Sequence, residues 1–316
     1  MTTTPHIALV TSAGHPDLDD ESQPLAEALA SQGASPQIVH WDNPQVDWSQ
    51  FDLAVVLAAW DHTDRLDEFL AWTKQVPRLV NPPNVLRWNI DKHYLQPLAE
   101  HGLPVIETTW LEPNREWQKR DLHNRFPARE EFVIKPAISA GTMDTGRYTS
   151  TDADSRRYAI EHAKRLLDDG RSVMVQRYIP EIDSNGEISL IFLHGTFSHA
   201  VRKDPMLTPD DLDLADTYQP VQLSPHVAAA AEIDAGQQVL AFARARIPGR
   251  NTNSRPLLYA RVDIVTRDNG QWLLMELELI DANLYTRQAP GSVERFAQAV
   301  LAEAAMEPDS QNIDLA

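Results

Sequence analysis

The sequence predicts an α/β lobe with a parallel sheet, followed by a larger α+β region built on antiparallel strands. Three observations carry this. Apolar strands alternate with helical stripes up to about residue 80, short turn-separated strands dominate from about residue 104, and two apolar strands near the C-terminus flank Asn269-Gly270.

In the first part, His6-Ile7-Ala8-Leu9-Val10-Thr11 is strand-like, and Leu25, Ala28 and Leu29 recur at helical spacing. Strands fit residues 37–41 and 53–58, and Leu66, Phe69, Leu70 and Thr73 give another helical stripe. Asn81-Pro82-Pro83 breaks the alternation and marks a lobe boundary. Beyond it, strands fit residues 132–135, 173–178, 187–193 and 196–201, interrupted by a helix carrying Ala159, Ala163, Leu166 and Leu167. Residues 204–225, rich in Asp, Pro and Thr, read as a mobile loop, and a long helix fits 227–247. The last patterned element is a helix with Val293, Phe296, Ala297, Val300 and Leu301 on one side. The expected division is 1–85 for the N-terminal lobe, 86–175 for a small lid, 176–306 for a large subdomain and 307–316 for a disordered tail.

Composition narrows the function. Among 316 residues, 28 Lys+Arg face 46 Asp+Glu, a net charge of -18, which opposes any sequence-independent grip on nucleic acid. A chain this acidic that holds a polyanion must gather its few cations in one place. The absence of cysteine removes disulfides, thiolate catalysis and Cys-based zinc sites. No apolar run approaches the ~18 residues of a membrane span, and Met1 to His6 lacks the regions of a signal peptide. A soluble, cytoplasmic protein is expected.

The C-terminal strands, 258–265 and 272–280, flank Arg267-Asp268-Asn269-Gly270. With Asn269-Gly270 as a two-residue hairpin loop, Asp268 faces Gln271, Asp263 faces Glu276, and Arg261 faces Glu278. Alternation puts Glu276 and Glu278 on the face of Arg261 and Asp263, and Leu273, Met275, Leu277 and Leu279 on the other. Like charges directly opposite on neighbouring strands repel, so three converging carboxylates call for a cation. Oxygen ligands without Cys or clustered His point to Mg²⁺, with Mn²⁺ as the variant. The alternative is a solvated outer face of the sheet.

Basic and glycine-containing elements lie upstream. Lys135 ends the strand E-F-V-I-K-P and precedes Ala137-Ile138-Ser139-Ala140-Gly141-Thr142, a small-residue loop whose backbone N–H groups can meet a phosphate. An ordinary surface turn is the competing reading. Lys92 follows W-N-I-D at the start of a helix, where a solvated lysine is equally ordinary. The strand 173–178 runs into Ile179-Pro180-Glu181 and could offer its edge to an adenine between Val133 and Leu274, or be a plain core strand. Arg202 and Lys203 end another strand.

In this order the elements resemble the ATP-grasp superfamily of carboxylate–amine ligases, over roughly residues 80 to 300, with the N-terminal lobe looking like the domain that precedes the grasp. The stretch Trp60-Asp61-His62, W-N-I-D-K and M-E-L-E-L-I look most like the branch containing the cyclo-ligase that forms D-cycloserine from O-ureido-serine; the ATP-binding part is similar to that of prokaryotic glutathione synthetases. The resemblance implies a nucleotide site in which Lys92 and Lys135 bind phosphates and Ser139, Ala140 and Gly141 close over them. Gln176, Tyr178, Ile179 and Leu274 would hold the base, and Glu181 or Asp183 the ribose. Arg261, Arg202 and Lys203 would face the transferring phosphate, and Asp263, Glu276 and Glu278 would bind Mg²⁺. Trp60, Asp61, Arg65 and Arg287 are candidate substrate contacts, with core packing and surface charge as the alternatives for Trp60 and Arg65. Two positions depart from the pattern: Glu278 stands where many grasp enzymes have Asn, and Leu57-Ala58-Ala59 stands where the branch often has Arg-Ser before Trp-Asp.

The implied activity is ATP- and Mg-dependent: a substrate carboxylate becomes an acyl phosphate, ADP leaves, and an amine or similar nucleophile, in the same molecule or another, forms a C–N bond. The alternatives are a phosphotransferase that stops at a phosphorylated product, and a catalytically silent nucleotide-binding protein. The expected partners are small-molecule carboxylates and amines, with no nucleic acid and no membrane, and a homodimer as the assembly the chain admits.

Overall fold

The computed structural model describes residues 4–13, 21–207 and 221–307. The N-terminal lobe holds β1 (His6–Thr11), α1 (Ser22–Ser31), β2 (Ser35–His40), β3 (Leu53–Ala58), α2 (Leu66–Thr73) and β4 (Leu79–Val80). Its four strands lie parallel in the order β2-β1-β3-β4. The runs I-A-L-V and L-A-V-V-L-A are buried on both faces, as the middle strands of a covered parallel sheet require.

Two short helices, α3 (Pro83–Asn89) and α4 (Leu95–Glu100), lead to a second antiparallel sheet. It comprises β5 (Thr108–Leu111), β6 (Glu131–Pro136), β7 (Gly146–Thr149) and β8 (Val173–Arg177) in the order β5-β8-β6-β7. Helices α5 (Lys119–Arg125) and α6 (Ala153–Asp168) pack together beside it. The Asp152 carboxylate caps α6 by accepting from the Ser155 N–H at 2.7 Å. Strand β8 runs past the expected boundary at 175, so this sheet ends at Arg177.

After α7 (Glu181–Asn185), β9 (Glu187–Leu193) and β10 (Thr196–Lys203) begin a third sheet, completed by β11 (Leu223–His226), β12 (Tyr259–Thr266) and β13 (Trp272–Glu278) in the order β11-β10-β9-β12-β13. Helix α8 (Ala230–Arg246) covers one face, and Gly236 lets it approach so closely that a Cβ there would lie 2.6 Å from the Phe192 ring. The final helix, α9 (Ser292–Ala304), packs against α1, and Phe296, Ala297 and Val300 share a core with Leu25 and Leu29. The expected loop over 204–225 needs correction at its end, where Leu223 pairs with Lys203 as an edge strand. Its middle and the tail beyond residue 307 lie outside the described residues.

The C-terminal hairpin departs from the two-residue loop. The Arg267 N–H donates to the Gln271 carbonyl and the Gly270 N–H to the Arg267 carbonyl, both at 2.8 Å, so the loop is Asp268-Asn269-Gly270 with Gly270 at φ 81°. This shifts the ladder near the turn by one residue, pairing Ile264 with Leu274. A bulge at Met275 then restores the expected register, and Asp263 faces Glu276 while Arg261 faces Glu278. The register at the carboxylate end is therefore the expected one, reached by two compensating irregularities. The faces do change: Leu274, Leu277 and Leu279 fill the core.

The outer edge of β13 is closed by other parts of the chain. The Leu274 N–H donates to the Pro104 carbonyl at 2.7 Å. The Tyr94 hydroxyl donates to the Leu277 carbonyl and accepts from its N–H, each at 2.9 Å. The Asn89 amide donates to Leu277 O at 2.8 Å and accepts from Leu279 N at 2.7 Å, and Asn81 donates to Leu279 O at 2.9 Å and Tyr259 O at 3.0 Å. Side chains thus stand in for a sixth strand, satisfying buried backbone groups that would otherwise be orphaned. Tyr94→Phe strands the buried Leu277 N–H and leaves the Leu277 carbonyl to Asn89 alone; stability should fall by about 1–3 kcal/mol, read as a lower urea midpoint at unchanged slope.

Candidate functional site

The second and third sheets face each other across a cleft, with the N-terminal lobe at one end. Lys135, Ala140, Gly141, Gln176, Tyr178 and Ile179 line it from the side of the second sheet. Lys203, Arg261, Glu276 and Glu278 line it from the sheet, and Trp60 closes the end.

The charges form one connected network. Asp263, 1% exposed, accepts from the Ser189 hydroxyl at 2.6 Å, from Lys203 at 3.1 Å and from Arg261 at 2.9–3.1 Å. Arg261 also pairs with Glu278 at 2.8 Å, and Lys203 with Glu187. Lys92 pairs with Glu276 at 3.1 Å and donates to the Ser139 carbonyl at 2.7 Å, tying the glycine loop to β13. Oxygens of Asp263, Glu276 and Glu278 all lie within 4.8 Å of one another, a spacing that suits one hard cation. Glu276 and Glu278 are about a quarter exposed, at 25% and 26%, whereas Asp263 is the buried anchor of the two cations.

Protonation follows from burial set against these partners. Burial opposes ionisation of Asp263, yet Arg261 and Lys203 hold its carboxyl far below the usual range. Burial, with Glu276 and Asp263 nearby, pushes Glu278 up to about 7 against the pull of Arg261. Burial also lowers Lys135, with Lys92 repelling it while Glu276 favours its charge. Such displaced values in a cleft are the pattern a functional site would show, and burial of Asp263 and Arg261 departs from a solvated sheet face.

Several expectations require correction. The bulge turns Leu274 into the core at 0% exposed, and Met275 takes its place as the apolar wall of the cleft. Arg202 and Lys203 are consecutive in a strand and so point to opposite faces. Only Lys203 reaches the cleft, while Arg202 donates to the Asn185 carbonyl at 2.7 Å and pairs with Asp204. Arg65 is held by Asp42 at 2.6 Å, Glu68 at 2.6 Å and Asp61 at 3.3 Å and lies over the Trp41 ring. Asp61 also accepts from the Trp41 indole at 2.8 Å, so this pair belongs to the lobe's own packing rather than to the cleft wall. Arg287 is exposed in a 3-10 turn and is not among the lining residues. Glu181 lines a neighbouring hollow with Arg267 rather than the cleft, and Asp183 is engaged by Arg147 and by Tyr178 at 2.5 Å.

Other cleft residues went unassigned. Glu187, in the G-E-x-S-L stretch, is buried against Lys203, and Thr142, the last residue of the loop that was read, follows the Ser139, Ala140 and Gly141 expected at the phosphates. Asp281, Asn283 and Tyr285 line the cleft at every second position beyond β13. Their segment is pinned: Glu21 accepts from Leu284 N at 2.9 Å and Thr286 N at 2.7 Å, and His199 contacts the Leu284 carbonyl at 2.7 Å. Asp281 and Tyr285 have positive φ, 21° and 53°, without being glycine. The alternation was visible; the left-handed turns and distant clamps were not.

His62, buried in the N-terminal lobe, pairs with Asp281 at 3.1 Å and contacts the Ala59 carbonyl at 2.9 Å. Burial lowers its proton affinity, but Asp281 outweighs it and the net shift is upward from 6.5. The folded protein thus holds this proton more tightly than the unfolded chain. The pair's stabilisation is complete below pH 6.5 and is lost as pH rises through the folded value. The melting-temperature gap between the protein and His62→Gln should therefore narrow from pH 6 to pH 9, about the interval histidine titration spans.

Comparison with known proteins places these features in context. A family model described as the N-terminal domain of D-cycloserine synthetase DcsG matches residues 7–81. Over 300 residues the chain is 34% identical to the cycloserine biosynthesis protein DcsG of Streptomyces lavendulae, covering 93% of this chain and 97% of that protein. The crystal structure of D-cycloserine synthetase DcsG superposes with a TM-score of 0.84 at 33% identity, covering 95% of this chain and 99% of that one. A RimK-domain ATP-grasp protein from Sphaerobacter thermophilus gives 0.64 at 15% identity, covering 93% and 98%. D-alanine–D-alanine ligase from Bacillus anthracis gives 0.61 at 12%, covering 95% and 97%. The last two likenesses show the shared fold alone.

Proposed function

This chain belongs to the D-cycloserine synthetase family of ATP-grasp ligases, and on that premise we propose that it closes a ring by ATP-driven C–N bond formation. The substrate would be an O-ureido-serine-like amino acid, and ADP, phosphate, carbon dioxide and ammonia the co-products, the last two from its carbamoyl group. The observation that carries the reading is the buried pairing of Arg261 and Lys203 on Asp263 beside the open carboxylates Glu276 and Glu278. That arrangement presents fixed cations to a phosphoryl group next to ligands for a divalent ion.

The substrate carboxylate oxygen attacks the γ-phosphorus, the bond to the β-phosphate oxygen breaks, and ADP leaves. The nitrogen bonded to the side-chain oxygen then attacks the acyl carbon, phosphate departs with the acyl oxygen as that nitrogen loses its proton, and water removes the carbamoyl group from it as carbon dioxide and ammonia. Arg261 and Lys203 are oriented by Asp263 and neutralise charge on the group in transit without reorganising. Lys135 and Lys92 would bind phosphates under the loop of Ser139, Ala140 and Gly141, and Gln176, Tyr178, Ile179 and Met275 would bound the base. Glu276 and Glu278, with Asp263 behind them, would hold Mg²⁺ or Mn²⁺, which supplies phosphate charge neutralisation when bound. Trp60, Asp281, Asn283 and Tyr285 bound the end of the cleft left for the acid.

Incubation with MgATP and O-ureido-D-serine should release ADP and D-cycloserine one for one, read by mass spectrometry. AMP release, or accumulation of a stable phosphorylated acid, would sink the ligase mechanism. Glu276→Gln should lower kcat by at least about 100-fold with an unchanged far-UV spectrum; retained turnover would refute its role at the metal.

A further inference from the structure

The loop over residues 139–145 is held by something other than its glycine. Asp144 sits within it at φ 52°, a left-handed conformation unusual for a residue with a side chain, and is only 8% exposed. Its carboxylate accepts from Arg165 of α6 at 3.0 Å and from Arg171 of the turn before β8. Arg171 also reaches the Ile138 carbonyl at 3.5 Å, at the other end of the loop. Burial disfavours the charge, but Arg171 and Arg165 hold the carboxyl below its usual range. Two guanidinium groups, from residues about 20 and 27 positions away in sequence, therefore converge on one loop carboxylate.

Inside the same loop, Thr142 lines the cleft at 5% exposure, and its hydroxyl oxygen has no hydrogen-bond partner among the described residues. A buried hydroxyl without a partner carries a desolvation penalty of about 1–3 kcal/mol, which a ligand oxygen would relieve. Loop shape and orphaned hydroxyl belong together: the anchor fixes the backbone that aims the hydroxyl.

We infer that Asp144 is a positioning residue that sets the 139–145 loop in its phosphate-receiving shape before nucleotide arrives, and that the Thr142 hydroxyl binds a phosphate oxygen. The roles toward phosphate rest on the nucleotide reading proposed above; the anchoring of the loop by Asp144 does not. A loop built in advance spares binding the entropy of ordering it, so the anchor acts on nucleotide affinity more than on turnover at saturation.

Hydrogen exchange of the nucleotide-free protein tests the anchor. The Thr145 amide, which donates to the Thr142 carbonyl at 3.1 Å within the loop, should be protected, and Asp144→Asn, which tolerates the left-handed backbone but loses the charge, should cut that protection about tenfold while β6 stays unchanged. A freely exchanging Thr145 amide in the unaltered protein, or equal protection in the variant, overturns the anchor. Calorimetry with MgATP tests the hydroxyl: Kd should rise about tenfold in Thr142→Val and stay near the original in Thr142→Ser, with melting temperatures within about 2 °C. Asp144→Asn should raise the KM for ATP about tenfold and leave kcat within about twofold. An unchanged Kd in Thr142→Val overturns its assignment. Failure of the unaltered protein to bind MgATP would overturn both the nucleotide reading and the Thr142 assignment, leaving exchange to decide the anchor.

Discussion

The architecture turns on one desolvated carboxylate. Asp263 lies among apolar residues in the middle of the third sheet, where an unpaired charge could not be tolerated. Its oxygens take hydrogen bonds from Ser189 of β9, Lys203 of β10 and Arg261 of its own strand β12, and β13 brings Glu278 to the far side of that guanidinium. Replacement of any one strand's register by a slip of one residue would turn its ion to the opposite face and leave the others uncompensated. Four adjacent strands are therefore held in register by a requirement of charge pairing as well as by apolar packing. The same requirement presents two cations toward the cleft without letting either move freely.

The alternating lobe, the antiparallel sheets and the final helix were legible because hydrophobic period and turn residues are local signals. The residues clustered about Asp263 were legible for the same reason, since alternation and an Asn-Gly turn place Arg261, Glu276 and Glu278 near it. What escaped was decided by events that leave no local trace. The bulge at Met275 coincides with the place where the edge partner of β13 changes from the 104–106 segment to the side chains of Tyr94 and Asn89, residues 183 and 190 positions from those they bind, so nothing local marks which leucine faces inward. Arg202 could have been rejected from sequence, because alternation forbids it from sharing Lys203's face. Arg65 could not, since its partner Asp42 becomes a neighbour only when β2 and β3 flank β1.

The segment Trp88-Asn89-Ile90-Asp91-Lys92 shows how one short motif meets two demands. Asn89 and Tyr94 grip β13 through backbone hydrogen bonds, while Lys92 between them reaches Glu276 and the glycine loop. The lysine is placed by the same contacts that close the sheet, so its position is as rigid as the sheet itself. This accounts for a buried lysine in a chain otherwise poor in cations: the backbone was already committed there for another reason.

The packing of α9 on α1 carries a consequence for biosynthesis. Leu25 and Leu29 share their core with Phe296, Ala297 and Val300, and Ile191 and Leu258 contribute to it from the middle of the chain. The N-terminal lobe, translated before α9, thus lacks part of its apolar lining until that helix has been made. At about 5–20 residues per second, that interval is on the order of ten to sixty seconds. During it Leu25 and Leu29 lack the side chains that cover them in the finished fold, so burial of this part of the N-terminal lobe waits on α9.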